Sequence, residues 1–365
     1  MRREGSARES RSEIANVEND DRYETEEVLD LDGVEVSDWN DFAQARGWSD
    51  GLPLVPPTED VVARFVETVR GDNEPIPPVS PRLVVPTMQS LAANAVMAGA
   101  RPEYFPVVVA ALRAVLDPDY NLHGSLATTH PCTQMVLVNG PIREKLGINC
   151  ASNCFGQGVR ANASIGRALQ LILLNVGGAR PGVMDRSTQG SPANFAFCFG
   201  ENEEESPWEP YHVRPGFEAG ESVVTTMAAE GPHNINDHAS NTGEGLMTTI
   251  AATVSQPGAN TIYGKGPYFV AIGPEHAQTL ARDGWTIETM KEAIFERSKV
   301  PVDRVSKENQ ASYDGQDVPL RGGCYYLSPD PDHIHIVVAG GPGKHSAYIP
   351  SFGGTAASAV PVRSR

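Results

Sequence analysis

The stretch Leu126–Gly182, LATTHPCTQMVLVNGPIREKLGINCASNCFGQGVRANASIGRALQLILLNVGGARPG, decides how the chain is read. Met135–Val138 is a short apolar, β-prone run bounded by Thr133-Gln134 and by Asn139-Gly140-Pro141. That pattern predicts a buried strand. Ile142–Leu146 then reads as a short helix, and Asn149–Gly158 as a polar loop rich in glycine and asparagine. From about Asn162 to Asn175, Ile165, Leu169, Ile172 and Val176 fall at i, i+4, i+7 and i+11, the period of a helix with one apolar face. Gly177-Gly178 end it. Strand, loop and helix in this order predict an α/β or α+β fold, a mixed sheet with helices on its faces.

Upstream, Thr87 can cap a helix of small residues, SLAANAVMAG, and Arg101–Tyr104 introduce a second, PVVVAALRAVL, which tolerates Pro106 in its first turn. The alanines predict a tightly packed helical hairpin. Thr58 can cap an earlier helix with Glu59 and Asp60 in its first turn. Ser37 can cap the segment Asp38–Arg46, which puts Trp39 and Phe42 on one face. Between these two helices, Gly47–Thr58 (GWSDGLPLVPPT) must follow a fixed, non-repetitive path, with Asp50-Gly51 as a turn. Residues 1–29 are polar and charged, the composition of a disordered tail.

Downstream, strands are expected at Asn194–Phe199, Val223–Ala228, Tyr268–Ile272 and Ile334–Ala339. Helices are expected at Asn241–Val254, within GPEHAQTLARDGW, and from Thr286 to Ser298. Ser306–Leu320 reads as a polar surface excursion. VLVNGPIREKLG and FVAIGPEHAQTLARDG share the order strand, Gly-Pro, helix, Gly, and IVVAGGPGKHS repeats the strand and Gly-Pro. This predicts two similar α/β halves, 30–200 and 201–365, with ligand loops at equivalent strand ends.

At 365 residues the chain can bury a substantial core as one large or two moderate domains. A formal charge of −17 argues against nucleic-acid and anionic-membrane partners, which need basic patches. No segment is apolar over the length a bilayer requires, and the first residues lack the apolar core of a secretory signal. Five cysteines in this length form no disulfide framework, so reduced thiols in a cytoplasmic protein are expected. A homo-oligomer stays open.

Several groups could carry chemistry. If the polar loop folds back over the strand, Cys132, Cys150, Cys154 and His130 converge, and a thiolate near a helix N-terminus would serve as nucleophile or redox group. The plainer reading is buried, inert cysteine. Backbone N–H groups of the loop, with Asn153, Asn162 and Arg160, could bind a carboxylate or phosphate. Neither Rossmann nor P-loop spacing is present, so a nucleotide is not supported. In GPHNINDHASN, His233 and His238 could move protons, or join Asp237 and Glu201 as metal ligands. Glu201 stands nearest its strand end within ENEEE, a run that otherwise reads as a solvated loop. His333 and His335 share one side of a strand, and Lys344 beyond it could hold an anionic group.

WSDGLPLVPPT, NAVMAGARPEYFPVVVAA, VLVNGP, GVRANASIGRALQLILLNVGG, ENEEESPW, GPEHAQTLARDGW and IVVAGGPGK together resemble a bacterial family of similar size, over roughly Trp39 to Gly354. Its members are often associated with a small protein carrying a UGSC or CGSC motif, whose first residue is selenocysteine or cysteine. This chain has no CGSC motif of its own. The resemblance implies that the reactive thiol or selenol comes from such a partner while this chain supplies the substrate pocket. The resulting expectation is an oxidoreductase or lyase subunit using thiol-assisted redox or bond-cleavage chemistry on a small anionic molecule. A metal-dependent hydrolase or lyase, and a non-catalytic binding or scaffold subunit, are the alternatives.

Overall fold

All seven residues of Thr133–Asn139 are buried, so both faces of this strand must be covered. A computed structural model, which describes residues 35–363, shows what covers them. One sheet runs in the order Ser358–Pro361 (β11), Val223–Ala229 (β3), Thr133–Asn139 (β1), Cys198–Gly200 (β2). A second runs His233–Asn236 (β4), His345–Ile349 (β10), Tyr268–Ile272 (β5), Ile334–Val338 (β9). A minor sheet joins Val300–Pro301 (β6), Cys324–Tyr325 (β8) and Leu320–Arg321 (β7).

Side chains alternate across a strand, and here each face has its own core. Met135, Leu137, Phe199 and Met227 of the first sheet pack against Phe269, Ala271, Val337 and Ile349 of the second. The other face of the first sheet, with Val136, Val138 and Val224, lies under helices. These are Glu59–Thr68 (α2), Met88–Met97 (α3), Phe105–Val115 (α4) and Arg160–Asn175 (α7), with Val36–Ala45 (α1) beyond them. The outer face of the second sheet, with Val270, Ile272 and Ile336, lies under Gly243–Val254 (α8), Pro274–Arg282 (α9) and Ile287–Arg297 (α10). The protein is a four-layer sandwich of helices, sheet, sheet and helices. Leu122–Leu126 (α5), Pro141–Leu146 (α6) and Lys307–Asp314 (α11) are short connecting helices.

The two large sheets repeat one plan. β1 is parallel to β2 and antiparallel to β3, as β5 is parallel to β9 and antiparallel to β10. The fourth strands cross over. β4 follows β3 in the chain but pairs with β10, and β11 follows β10 but pairs with β3. The first sheet thus draws strands from both 30–200 and 201–365. The Gly-Pro corners serve the same packing need: a Cβ on Gly140 would fall 2.0 Å from Glu221 O, and one on Gly273 2.1 Å from His345 O. The neighbouring antiparallel strand leaves room only for glycine. The two corners differ by one residue in the pleat, because Asn139 follows Met135 and Leu137 on the inter-sheet side, whereas Ile272 belongs to the helix side.

Local expectations hold at α7, where Ile165, Leu169 and Ile172 are fully buried, each contributing about 1.5–3 kcal/mol. Arg167 on the same helix grips Asp50 through two bonds of 2.7 and 2.8 Å. With Trp39 Nε1 donating to Leu54 O at 3.1 Å, this fixes the Gly47–Thr58 path. Thr87 caps α3 by accepting from Ser90 N, whereas Thr58 stands at the N-cap of α2 without a capping bond and donates to Asp60 instead. Helix α1 begins at Val36, so Ser37 lies inside it. The strand expected at Asn194–Phe199 shrinks to Cys198–Gly200, because Ser191 caps a turn of 3-10 helix at Pro192–Asn194. The excursion at Ser306–Leu320 contains α11. The tail expected at 1–29 lies outside the described residues. No helix among the described residues is long and apolar enough to cross a membrane.

Candidate functional site

The ends of β2 and β9 are stitched together: Asn202 N donates to Val338 O at 2.7 Å, Asn202 Nδ2 to Gly340 O at 3.0 Å, and Gly340 N to Cys150 O at 2.9 Å. Because β1 runs parallel to β2 and β5 parallel to β9, the C-terminal ends of all four strands share one rim. The Asn149–Gly158 loop and the glycine-rich 340–344 loop border it.

On the first-sheet side, the acidic run after β2 begins buried at Glu201 and reaches solvent by Glu204 and Glu205. Asn139 Nδ2 donates to Glu201 Oε2 at 2.5 Å and to Glu203 Oε1 at 3.1 Å, and Gly140 N donates to Glu203 Oε1 at 2.7 Å. Arg143, buried on α6, donates to Glu204 at 2.5 Å and to Cys150 Sγ at 3.3 Å. Burial raises the Cys150 thiol pKa, and Arg143 opposes that rise. Glu201 is wholly buried. Burial lifts its carboxyl to about 7 against the pull of Arg214, the Tyr211 N–H and Asn139. Its Oε2 accepts from both Asn139 and Tyr211 N, while Oε1 has no hydrogen bond and sits 3.8 Å from Arg214 Nη2. Oε1 is therefore the carboxyl oxygen left without a hydrogen-bond donor, with the Arg214 guanidinium as its nearest cationic group. A carboxyl that exchanges a proton near neutrality is a workable acid–base group, and Asn139 and Glu203 link Glu201 to the Arg143–Cys150 contact.

On the second-sheet side, His238 Nε2 and His345 Nε2 lie 3.1 Å apart, and Lys344 Nζ donates to His238 O at 3.1 Å. Both carboxylate oxygens of Asp237 accept hydrogen bonds from within the chain. Its Oδ1 accepts from Ala239 N and Ser240 N, and its Oδ2 from Thr249 Oγ1 at 2.6 Å. Burial would raise its carboxyl, but these donors outweigh burial and hold it at about 2. His276, buried on α9, bridges Asp237 O and Ser346 Oγ, and burial lowers its imidazole pKa. His335 faces the inter-sheet layer, where its Nδ1 meets Tyr211 Oη at 3.1 Å and burial lowers it to about 3. His333 pairs with Asp330 just before β9.

Several sequence expectations are corrected. The three cysteines and His130 do not converge. Cys132 lies at the start of β1, about 20 Å of strand away from the rim, with its Sγ donating to Ser125 O and its thiol pushed by burial to about 12. His130 pairs with Glu230. Cys154 is buried in the inter-sheet core and raised to about 11. Arg160 turns to the chain itself: its Nε donates to Gly99 O at 2.8 Å and its Nη2 to Ala100 O, closing the end of α3. Asn162 is a buried clamp, accepting from Asn149 N and donating to Asn149 O, Cys154 O and Cys198 O. Asn153 holds the loop's turn at φ +62°, donating to Gln157 O. His233 is exposed on β4. His233, Asp237, His238 and Glu201 do not assemble as a ligand set, because no three His, Cys, Asp or Glu side chains among the described residues are placed to hold one metal ion.

Residue reading missed Arg143, Asn139, Tyr211 and Arg214. A signal for Arg143 existed: it stands third after its corner glycine in GPIR, as His276 does in GPEH. Comparison of the chain with family models, curated proteins and solved structures finds no match.

Proposed function

We propose that this chain is an enzyme subunit, an oxidoreductase or lyase, that acts on a small molecule at the strand-end rim by thiol-assisted chemistry. Cys150 is the thiol of this reading. Arg143 favours its thiolate, Glu201 holds and releases the proton within the same cluster, and Lys344 meets an anionic substrate group from the opposite loop. The observation that carries the reading is the 3.3 Å contact from Arg143 Nη1 to Cys150 Sγ. Of the three candidate cysteines, Cys150 alone is not sealed in a core and has a cation at hydrogen-bond distance. Electropositive, partly exposed surroundings are what a reactive cysteine needs.

A second reading gives the thiol or selenol to a small CGSC-type partner and leaves this chain the pocket. The net rise of the Cys150 thiol through burial favours it. Co-expression with a candidate CGSC protein separates the two. If Cys150→Ser abolishes turnover by the purified chain, the first reading stands. If the isolated chain is inactive and the complex retains full activity with Cys150→Ser, the partner supplies the sulfur or selenium. Binding without turnover in either form would make the chain a scaffold and refute both.

A further inference from the structure

The thiol reading does not use the histidine pair across the rim. His238 Nε2 and His345 Nε2 stand 3.1 Å apart, with ring centroids 4.8 Å apart and planes inclined at 80°. Two nitrogens bound to one ion at about 2.0–2.1 Å, with bond angles of about 90–109°, stand roughly 2.9–3.4 Å apart. We propose that His238 and His345 together bind one divalent transition-metal ion of the zinc class, with its remaining positions open to water or an anionic ligand.

The surroundings support this assignment on three counts. First, Asn234 Oδ1 lies 2.9 Å from His345 Nδ1. An amide oxygen can only accept, so Nδ1 carries the proton and the Nε2 lone pair points at His238. Outer hydrogen bonds set metal-ligand histidines in this way. Secondly, the backbone around His238 is fixed from every side. Asp237 Oδ1 accepts from Ala239 N and Ser240 N, His276 Nε2 donates to Asp237 O, and Lys344 Nζ donates to His238 O. A single N–H···N bond between two surface imidazoles needs no such support, whereas a ligand site needs its donors pre-positioned. Thirdly, both histidines are exposed, so an ion reaches them freely.

The set stops at two protein ligands, since no third His, Cys, Asp or Glu among the described residues completes it. An ion held by two imidazoles keeps its charge and several open positions. With the Lys344 ammonium alongside, those positions favour an oxyanion such as a carboxylate or phosphate over a neutral ligand. The proposal is independent of the role given to Cys150.

Metal-stripped full-length protein is titrated with Zn2+ by calorimetry and with Cu2+ for electron paramagnetic resonance. Wild type is expected to take up one equivalent of Zn2+, and the Cu2+ spectrum to show coupling to two imidazole nitrogens. His238→Ala and His345→Ala should each lose the equivalent, His123→Ala, an exposed histidine elsewhere, should keep it, and Asn234→Ala should weaken it about tenfold. Circular dichroism confirms that each variant folds. Absence of saturable binding by wild type overturns the proposal. So does retention of the equivalent by folded His238→Ala and His345→Ala, which would place the metal on a thiol.

Discussion

Replacing Glu201 by glutamine is expected to remove a pH dependence from the stability of the fold. The carboxyl is wholly buried, and burial lifts it from 4.5 to about 7 against Arg214, the Tyr211 N–H and Asn139. The folded state therefore binds this proton more tightly than the unfolded chain does. Its contribution to stability is full below pH 4.5 and is lost as pH rises through 7. The whole rise corresponds to about 3 kcal/mol, of which about 2.5 kcal/mol falls between pH 5 and 8. Urea unfolding at half-unit steps across that range measures it. Wild type should lose about 2.5 kcal/mol more than Glu201→Gln as pH rises, because glutamine keeps the shape and does not titrate. Stability curves that run parallel to within about 0.5 kcal/mol would show that Glu201 titrates as an ordinary carboxylate, and would remove it as the proton carrier of the rim.

Asn162→Ala deletes the clamp on the 149–158 loop and leaves the Cys198 carbonyl and the Asn149 N–H buried without their partner, so unfolding free energy should fall by about 2–4 kcal/mol. A loss below about 1 kcal/mol would contradict the clamp. Arg160→Ala should cost about 1 kcal/mol through the open end of α3 and leave phosphate or carboxylate affinity unchanged in calorimetry; weakened anion binding would return Arg160 to the site. Gly273→Ala drives a Cβ into the His345 carbonyl and should destabilise by about 3 kcal/mol in chemical denaturation. A neutral result would mean that the β5–α9 corner yields more easily than the close approach implies.

The parts of this fold legible in sequence are those whose pattern is local and complete. β1 is a continuous apolar run because both its faces are covered, and α7 shows its stripe because one helix packs one face to one core. β4, β10 and β11 lacked such a signal. HNIN and HSAYI start with polar residues, and they become strands through their partners: His345 pairs with Asn236, and Ser358 with Thr226. The exchange of fourth strands between sheets is a long-range choice that no window of sequence expresses. The Gly-Pro corners were visible, and they located the rim, since Asn139, Arg143 and His276 flank them.

Roles at the rim were harder to read, because spacing fixes neither burial nor partners. Arg160 looked like an anion ligand beside a glycine-rich loop. Its actual acceptors lie about sixty residues earlier in the chain, at Gly99 and Ala100. Cys132, Cys150 and Cys154 look alike as letters. Only the fold separates a thiol at the foot of β1, one in the inter-sheet core and one beside an arginine. The acidic run ENEEE carries the net charge of a solvated loop, yet Glu201 is wholly buried because Asn139, Tyr211 N and Arg214 surround it.

The central claim is that Cys150 is the reactive thiol of the rim, and that Arg143 makes it so. The direct measurement is the rate of iodoacetamide alkylation at each cysteine of the folded chain, followed by mass spectrometry from pH 6 to 10, in wild type and in Arg143→Gln. Cys150 is expected to react ahead of Cys132, Cys154 and Cys198, and its titration should move to higher pH when Arg143 is replaced. Equal protection of Cys150 and the three buried thiols, or a Cys150 titration unchanged by Arg143→Gln, would contradict the account.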